Sequence, residues 1–349
     1  MKVARYLAPG DIRIEEMPIP ACGPRDILVK TRACGICSGE MMDWYMAAKA
    51  PFVFGHEPSG EVVEIGCEVR EWRVGDAVFV HHHAPCFTCR HCRRGTFVMC
   101  ETWKRSRIEP GGMAEFFLVP PENQADTLRL PPHVSWDGGA LVEPLACAVQ
   151  ALERARVRPG DTLLIIGLGI MGQLLAKAAW SFGAGRVIAA DFEPARRAMA
   201  ARLGASHVLD PGVAPLEQQV AELTGGEMAD AVLVGPPSVR AMQDGLACAG
   251  RGATVVLFSP APPGERWEIE PHDLYFRDVA IVPSYSCGPR ETRRALALIA
   301  AGAVRPEELI THRYPFAEVA AGFAAMKAGG EVVKVLIEFG AGERARGTP

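Results

Sequence analysis

The chain has 349 residues, a formal net charge of −4, 49% hydrophobic residues and 22% charged residues. This length accommodates two domains, and the charge balance indicates neither a nucleic-acid nor a membrane partner. The first twenty residues contain no apolar run of the length typical of a signal peptide, and no stretch approaches the ~20 apolar residues that a membrane span needs. We therefore expect a cytoplasmic protein whose eleven cysteines are reduced metal ligands or small core residues.

The first 150 residues contain strand-length apolar runs separated by glycine and proline. This pattern predicts a β-rich, barrel-like domain over 1–150. The clearest runs are Lys2–Tyr6, Asp26–Cys34, Gly60–Ile65 and Ala77–Val80.

Three short segments contain residue types that bind metals. "ACGICSGE" carries Cys37, "FGHEPSGEV" carries His56 and Glu57, and "LVEPLACAV" carries Glu143. A thiolate, an imidazole and carboxylates from separate loops are the ligand set of a catalytic zinc, which keeps one position open. Each segment also has another interpretation. Cys34 and Cys37 form a C-x-x-C that is compatible with a redox pair, and Glu143 is compatible with a carboxylate at a helix start.

The segment "VHHHAPCFTCRHCRRGTFVMC" begins at Val80 and contains three consecutive histidines, His81 to His83. Its cysteines have the spacing C-x2-C-x2-C-x7-C, and four thiolates can close a tetrahedral zinc shell. An iron–sulfur cluster would continue as C-x3-C-P, which this run does not. We predict a structural zinc in a lobe over 86–100, with a cluster or unmetallated thiols as alternatives. The predicted ligands are Cys86, Cys89, Cys92 and Cys100.

From about Ala151, buried apolar runs alternate with segments of helical spacing. This alternation predicts a doubly wound parallel sheet over 151–289. Residues 290–349 are expected to form a helix and short strands that return to the first domain, with a frayed tail from Gly340. The predicted strands are Thr162–Gly167, Arg186–Asp191, His207–Leu209, Ala231–Gly235, Thr254–Ser259 and Val279–Ser284, and the predicted helices are Ile170–Phe182, Pro194–Leu203 and Glu291–Gly302.

"TLLIIGLGIMG" places Gly167, Gly169 and Gly172 between a strand and a helix. G-x-G-x-x-G in this context predicts a dinucleotide site, with the pyrophosphate at the helix start formed by Ile170 and Met171. A tight turn without a ligand is the alternative.

The second strand of this domain ends in Asp191, nineteen residues after Gly172. A carboxylate there can accept from the ribose hydroxyls and repels a 2′-phosphate, which favours NAD over NADP. Arg196 and Arg197 follow closely and weaken that preference. Arg196 is included among the candidate cofactor contacts.

In this order, the motifs G-I-C, G-H-E-x-x-G-x-V, four cysteines, E-P and G-x-G-x-x-G resemble the zinc-dependent medium-chain dehydrogenase/reductase superfamily. The E-P motif is most similar to the sorbitol and threonine dehydrogenase branch. The resemblance implies an α/β protein with a GroES-like catalytic domain and a Rossmann NAD-binding domain. It also implies one catalytic and one structural zinc per subunit, an active site in the cleft between the domains, and a homodimer or homotetramer.

The resemblance also implies individual roles. Cys37 and His56 would bind the catalytic zinc. Glu57 and Glu143 would alternate as ligand or as acceptor of the bound water, and Glu40 would orient His56.

The chain departs from the family pattern at the proton relay. Family members commonly carry a serine or threonine hydroxyl two residues after the cysteine, where this chain has Gly39. The serine stands at Ser38 instead, and Met42 replaces a histidine often found further along the relay.

By the same resemblance, His82 or His83 falls where family members place a side chain of the substrate pocket. If the strand continues from Val78 to His83, alternate residues face opposite ways, which disfavours a third metal at the triplet. We predict that His82 or His83 contacts the substrate hydroxyls and supplies the displaced proton path, because histidine titrates near neutral pH. Loop histidines packed against the cysteine lobe are the alternative.

The sequence therefore predicts a zinc-dependent enzyme that transfers hydride between a secondary alcohol, such as a polyol, and NAD. A threonine-type or simple alcohol dehydrogenase is one alternative. A non-catalytic protein that binds nucleotide and zinc is the other.

Overall fold

The computed structural model describes residues 1–340, so residues 341–349, most of the predicted frayed tail, lie outside the described part of the chain. The chain divides into two compact units. The first comprises residues 1–146 and the segment from Cys287, and the second comprises Cys147–Ser286. The sequence analysis placed the corresponding boundaries after residues 150 and 289.

In chain order the strands are β1 (Lys2–Ala8), β2 (Asp11–Glu16), β3 (Ile27–Gly35), β4 (Phe52–Val53), β5 (Glu57–Ile65), β6 (Ala77–Val80), β7 (Phe116–Val119), β8 (Thr127–Arg129), β9 (Thr162–Ile166), β10 (Arg186–Ala190), β11 (His207–Leu209), β12 (Ala229–Val234), β13 (Ala249–Leu257), β14 (Ala280–Pro283), β15 (His312–Pro315) and β16 (Val335–Glu338).

The helices are α1 (Asp43–Ala47), α2 (Arg90–Arg93), α3 (Glu101–Arg105), α4 (Pro121–Gln124), α5 (Trp136–Ala140), α6 (Val142–Ala155), α7 (Ile170–Ala179), α8 (Pro194–Arg202), α9 (Leu216–Thr224), α10 (Val239–Ala247), α11 (Pro271–Arg277), α12 (Pro289–Ala300) and α13 (Val319–Ala328). None of these helices, within residues 1–340, is long and apolar enough to cross a lipid bilayer.

The first unit is built on two β-sheets. One has the order β2-β1-β4. The other has the order β15-β16-β3-β5-β6-β8, and β7 pairs with β3 outside that path. The end of β3 is central, because Gly35 lies opposite Glu57 of β5 and Leu336 of β16. Side chains beside these three strand ends therefore come together although they are far apart in sequence.

The second unit contains one sheet with the order β11-β10-β9-β12-β13-β14, and every neighbouring pair is parallel. Its strands are apolar on both faces because helices cover both sides of such a sheet. The strand order reverses between β9 and β12, and the carboxyl edge at such a point is where nucleotides bind. The predicted α/β fold class, with a β-rich unit and a doubly wound unit, is confirmed.

Candidate active site

The turn after β3 brings Cys37 and Glu40 to His56. The side chain of Glu40 is buried, and its Oε2 accepts from the backbone N–H of Cys37 at 3.2 Å. Its Oε1 accepts from the N–H of Gly55 at 3.2 Å and lies 3.1 Å from His56 Nδ1. A carboxylate at Nδ1 keeps the proton on that nitrogen, so the Nε2 lone pair remains available as a ligand.

Glu57 is the first residue of β5 and forms a buried ion pair with Lys334, which directly precedes β16. Both side chains are at most 1% exposed, and Lys334 Nζ also donates to the carbonyl of Ile36 at 2.9 Å. Burial by itself lowers the pKa of Lys334, but the negative charges of Glu57, Cys37 and Glu143 together raise that pKa above its usual value. The lysine therefore stays charged and compensates a carboxylate that would otherwise be buried alone.

Cys37, His56 and Glu57 each direct one ligand atom to a common point, with these atoms within 4.8 Å of one another. Glu57 Oε1 is buried and has no hydrogen-bond partner in the described residues. The His56 side chain is 24% exposed, so solvent reaches this group. A thiolate, an imidazole and an unsatisfied carboxylate oxygen on an accessible group fit a zinc with an open position.

Glu143 is buried in the first turn of α6, and its charge interacts with Cys37 and Glu57. Its carboxylate also lies within 4.8 Å of an imidazole nitrogen of His81 and of His82. Glu143 thus lies between the group formed by Cys37, His56 and Glu57 and the histidine triplet.

The triplet does not continue the strand before it. β6 ends at Val80, and just beyond it Asn123 Nδ2 donates to the carbonyl of His81 at 3.0 Å. The condition for alternating side-chain directions, a strand that continues to His83, is therefore not met. The rings of His81 and His82 lie 5.1 Å apart, and those of His82 and His83 lie 4.1 Å apart.

Two of these rings are neutral. Burial holds the pKa of His82 well below its usual value and lowers that of His83 to about 3. His83 Nδ1 bonds the Ser106 carbonyl at 2.7 Å, and its ring lies 4.3 Å from that of Trp103. The expectation that these rings titrate near neutral pH is wrong, because burial disfavours the charged imidazolium.

The relay positions lie beside Cys37. Ser38 begins a 3₁₀ turn over Ser38–Met41 and is exposed. A Cβ added at Gly39 would lie 3.5 Å from Cys37 Sγ and 3.8 Å from Met42 Cε, which is ordinary van der Waals contact. The local packing would therefore accept a serine at this position.

The cysteine lobe has the compact geometry of a closed site. Sγ of Cys86 lies 3.9 Å from Sγ of Cys92 and 3.6 Å from Sγ of Cys100, and Sγ of Cys89 lies 3.5 Å from that of Cys92. All four sulfurs lie within 4.8 Å of one another. Hydrogen bonds from Thr88 and the Cys89 N–H lower the pKa of Cys86 to about 5. Four converging thiols with a stabilised thiolate fit a structural zinc.

The dinucleotide loop joins β9 to α7. Gly167 has φ +86°, which favours glycine, and a Cβ at Gly172 would lie 2.0 Å from the Gly167 carbonyl oxygen. At Gly169, by contrast, a Cβ would meet nothing within 4 Å, so open space faces the loop. The first N–H groups of α7, including those of Ile170 and Met171, have no partner within the helix. This geometry fits a pyrophosphate.

Asp191 follows β10 and supports the same loop. Its Oδ2 accepts from the Leu168 N–H at 2.6 Å, and its Oδ1 accepts from the Glu193 N–H at 2.8 Å. Asp191 also lines a cavity of about 370 Å³ together with Gly167, Phe192 and Arg240. Arg196 lies in the first turn of α8, where its carbonyl accepts from Gln173.

The sequence analysis missed Lys334, although a lysine inside the apolar run "EVVKVLIEF" was a visible signal. Two further residues were missed: Asp126, which bonds His81, and Thr292, which donates to Asp126. No local pattern marks those two residues.

Comparisons with known proteins agree with this geometry. The family model for the alcohol dehydrogenase GroES-like domain matches residues 23–131, and the model for zinc-binding dehydrogenases matches residues 167–301. L-threonine 3-dehydrogenase of Chelativorans sp. is 31% identical over 93% of this chain and 95% of its own. Erythritol/L-threitol dehydrogenase of Mycolicibacterium smegmatis is 30% identical over 94% of each chain. A solved structure from Sinorhizobium meliloti 1021, bound to NADP, superposes with a TM-score of 0.87 at 30% identity, covering 97% of this chain and 98% of its own.

Proposed function

Because the chain belongs to the zinc-dependent medium-chain dehydrogenase/reductase superfamily, we propose that it oxidises a secondary alcohol of a polyol with NAD. The observation that carries this proposal is the convergence of Cys37, His56 and Glu57 on one accessible point, with the unsatisfied Glu57 Oε1 among them.

Within this site each residue has a distinct task. Cys37, His56 and Glu57 would hold the catalytic zinc. Glu40 fixes the His56 ring through Nδ1, and Lys334 compensates the Glu57 charge. Glu143 would act as an alternate ligand or as acceptor of a bound water. When bound, zinc lowers the pKa of an alcohol oxygen and NAD accepts the hydride.

The cysteine lobe would hold the structural zinc, for a total of two zincs per subunit. Its four sulfurs leave no open position. We assign it a stabilising role only.

NAD is the proposed cofactor because Asp191 lines the cavity beside the glycine loop. Its oxygens have lone pairs left for ribose hydroxyls, and its charge repels a 2′-phosphate. Arg197 is engaged elsewhere, since it donates to the carbonyls of Asp191 and Phe192 and pairs with Asp210. Replacing Asp191 with alanine should lower kcat/KM for NAD and raise the NADP/NAD ratio. An unchanged ratio would contradict this assignment.

A spectrophotometric panel on zinc-loaded enzyme tests the substrate class. It follows reduction of NAD, and of NADP in parallel, with sugar alcohols, cyclitols, L-threonine and short alcohols. A polyol signal with NAD supports the proposal. Silence across the panel, with zinc present, would favour a non-catalytic protein that binds nucleotide and zinc.

An L-threonine-type amino alcohol is the second candidate, favoured by the 31% identity to the Chelativorans threonine dehydrogenase. A signal with threonine alone would establish it and leave the metal and cofactor proposals intact.

We further propose that His82 or His83 contacts the substrate through a hydrogen bond made by a neutral ring. The ring of His82 lies 4.9 Å from that of His56, which places it beside the candidate zinc ligands. Single replacements by asparagine should raise KM for a polyol more than they lower kcat. Unchanged kinetics in both variants would exclude this role.

We also propose a cytoplasmic homodimer or homotetramer. Tyr275 and Phe276 of α11 are more than 70% exposed, and β14 ends the parallel sheet of the second unit with one edge unpaired in the described residues. Light scattering on the purified protein gives the subunit count.

A further inference from the structure

The first unit contains a buried polar cluster that the proposed reaction does not use. His81, Asp126, Thr292 and Cys287 are each 0% exposed. Polar groups are costly to bury unless they have partners or coordinate a metal. The burial of these four polar side chains therefore needs an explanation, whereas the burial of apolar side chains would not.

The hydrogen bonds of the cluster set the tautomer of His81. Its Nδ1 lies 2.7 Å from Asp126 Oδ2, while Thr292 Oγ1 donates to Asp126 Oδ1 at 2.6 Å. Because a carboxylate oxygen only accepts, Nδ1 carries a proton, and the other ring nitrogen, Nε2, faces away from Asp126. In proteins, a metal-binding histidine is commonly oriented by a carboxylate that accepts from its other ring nitrogen.

The Nε2 atom of His81 is directed toward other possible ligands. It lies 3.7 Å from Cys287 Sγ. Ligand atoms of His81, His82 and Glu143 lie within 4.8 Å of one another, and Glu143 is equally close to Cys287. Two imidazoles and a carboxylate form a known ligand set of zinc, and a thiol can complete a tetrahedral shell.

His82 provides an independent observation. Its Nδ1 is buried and has no hydrogen-bond partner in the described part of the chain. An ordinary hydrogen-bonded core explains the contact between His81 and Asp126, but it does not explain a buried nitrogen without a partner on a ring whose ligand atom lies within 4.8 Å of those of Glu143 and His81.

We propose that His81, His82 and Glu143, with Cys287 as a fourth donor, form an additional metal site that binds a zinc-class divalent ion. The site is separate from the cysteine lobe and adjoins the group formed by Cys37, His56 and Glu57. Glu143 can serve both neighbouring sites, since a carboxylate has two oxygens. An occupied site would hold the His81–His83 segment against α6.

Metal content tests this inference without reference to turnover. The full-length protein is equilibrated with buffered zinc and desalted, and its zinc is measured by plasma mass spectrometry. We expect three zinc ions per chain in the wild type and two in His82→Asn. The matched control is His133→Asn, a change at an exposed histidine that should retain three.

A second variant, Asp126→Asn, tests the inference even if His82→Asn fails to fold. Asp126→Asn keeps the shape of the side chain but weakens its hold on His81, so chelator competition should show one zinc ion bound about 10- to 100-fold more weakly. Two zinc ions in the wild type, or three retained in both His82→Asn and Asp126→Asn, would overturn the inference. The inference would also be overturned if Glu143→Gln lost a zinc ion and His82→Asn did not.

The zinc content and the turnover on the substrate panel test the additional site and the proposed function separately. Two zinc ions with normal turnover would remove the additional site and leave the dehydrogenase assignment. Three zinc ions without turnover on the substrate panel would support the additional site and contradict the dehydrogenase assignment.

Discussion

The cysteine lobe and the group around Cys37 are both proposed to hold a metal, but they are assembled differently. The lobe takes its four sulfurs from fifteen consecutive residues, Cys86 to Cys100. The other group takes its atoms from Cys37, His56 and Glu57 and depends on Lys334, almost 300 residues away. Local spacing therefore suffices for the closed site, whereas the open site exists only when β3, β5 and β16 are paired.

The two regions should respond oppositely to loss of a ligand. Replacing Cys37 with serine removes a ligand of the open site, where transition-state stabilisation by the metal is worth several kcal/mol. We expect kcat/KM to fall about 10³-fold or more, with one zinc ion lost and Tm nearly unchanged. Retention of a tenth of the wild-type activity would contradict the assigned role.

Replacing Cys100 with serine should instead affect stability. The binding free energy of a structural zinc is folding free energy, so the lobe should open and Tm should fall by several degrees. Arg90, Arg93 and Lys104 already have exposed side chains, and an opened lobe would let trypsin reach the backbone beside them. Mass spectrometry of the fragments would locate the cleavage, and a variant as resistant to trypsin as the wild type would show that the lobe needs no metal.

The buried ion pair of Glu57 and Lys334 should contribute more to the free energy of unfolding than an ion pair on the surface. Replacing Lys334 with methionine leaves Glu57 buried and uncompensated, which should lower the free energy of unfolding by about 3–5 kcal/mol. The matched control is Lys327→Met, since Lys327 pairs with Asp43 at 2.7 Å on the surface. An exposed pair contributes about 0–1 kcal/mol. Urea unfolding of both variants measures the difference, and equal losses would refute the comparison.

The smallest expected effect is at Gly39. Serine there meets only ordinary contacts, so the free energy of unfolding should change by less than about 0.5 kcal/mol. The new hydroxyl should alter the pH profile of kcat if it joins a proton path. Gly172→Ser is the control, because its Cβ would lie 2.0 Å from the Gly167 oxygen and should prevent NAD binding. Calorimetry and cofactor titration distinguish the two, and a strongly destabilised Gly39→Ser would contradict the packing argument.

Much of the fold was predictable because periodicity and glycine positions are local signals. The predicted strands Ala77–Val80 and His207–Leu209 have the bounds that the structure gives them. Where bounds differ, the causes are also local. The predicted helix from Ile170, for example, ends at Ala179 and continues as a 3₁₀ turn over Trp180–Phe182.

The histidine triplet shows where local reasoning failed. The directions of the three side chains were considered only for the case in which the strand continues to His83, but the strand ends at Val80. Beyond it, His81 is bonded by Asn123 and Asp126, some forty residues later. Burial then removes the charge of His82 and His83. Neither effect has a signal in the sequence around the triplet.

The sequence by itself determined the family, the doubly wound sheet, the glycine loop and the four-cysteine lobe, because each depends on residues close together in the chain. Tertiary structure alone decided which charge compensates Glu57, where Glu143 lies and how the histidines converge. Those outcomes depend on strand register and on desolvation, which arise only when distant segments pack together.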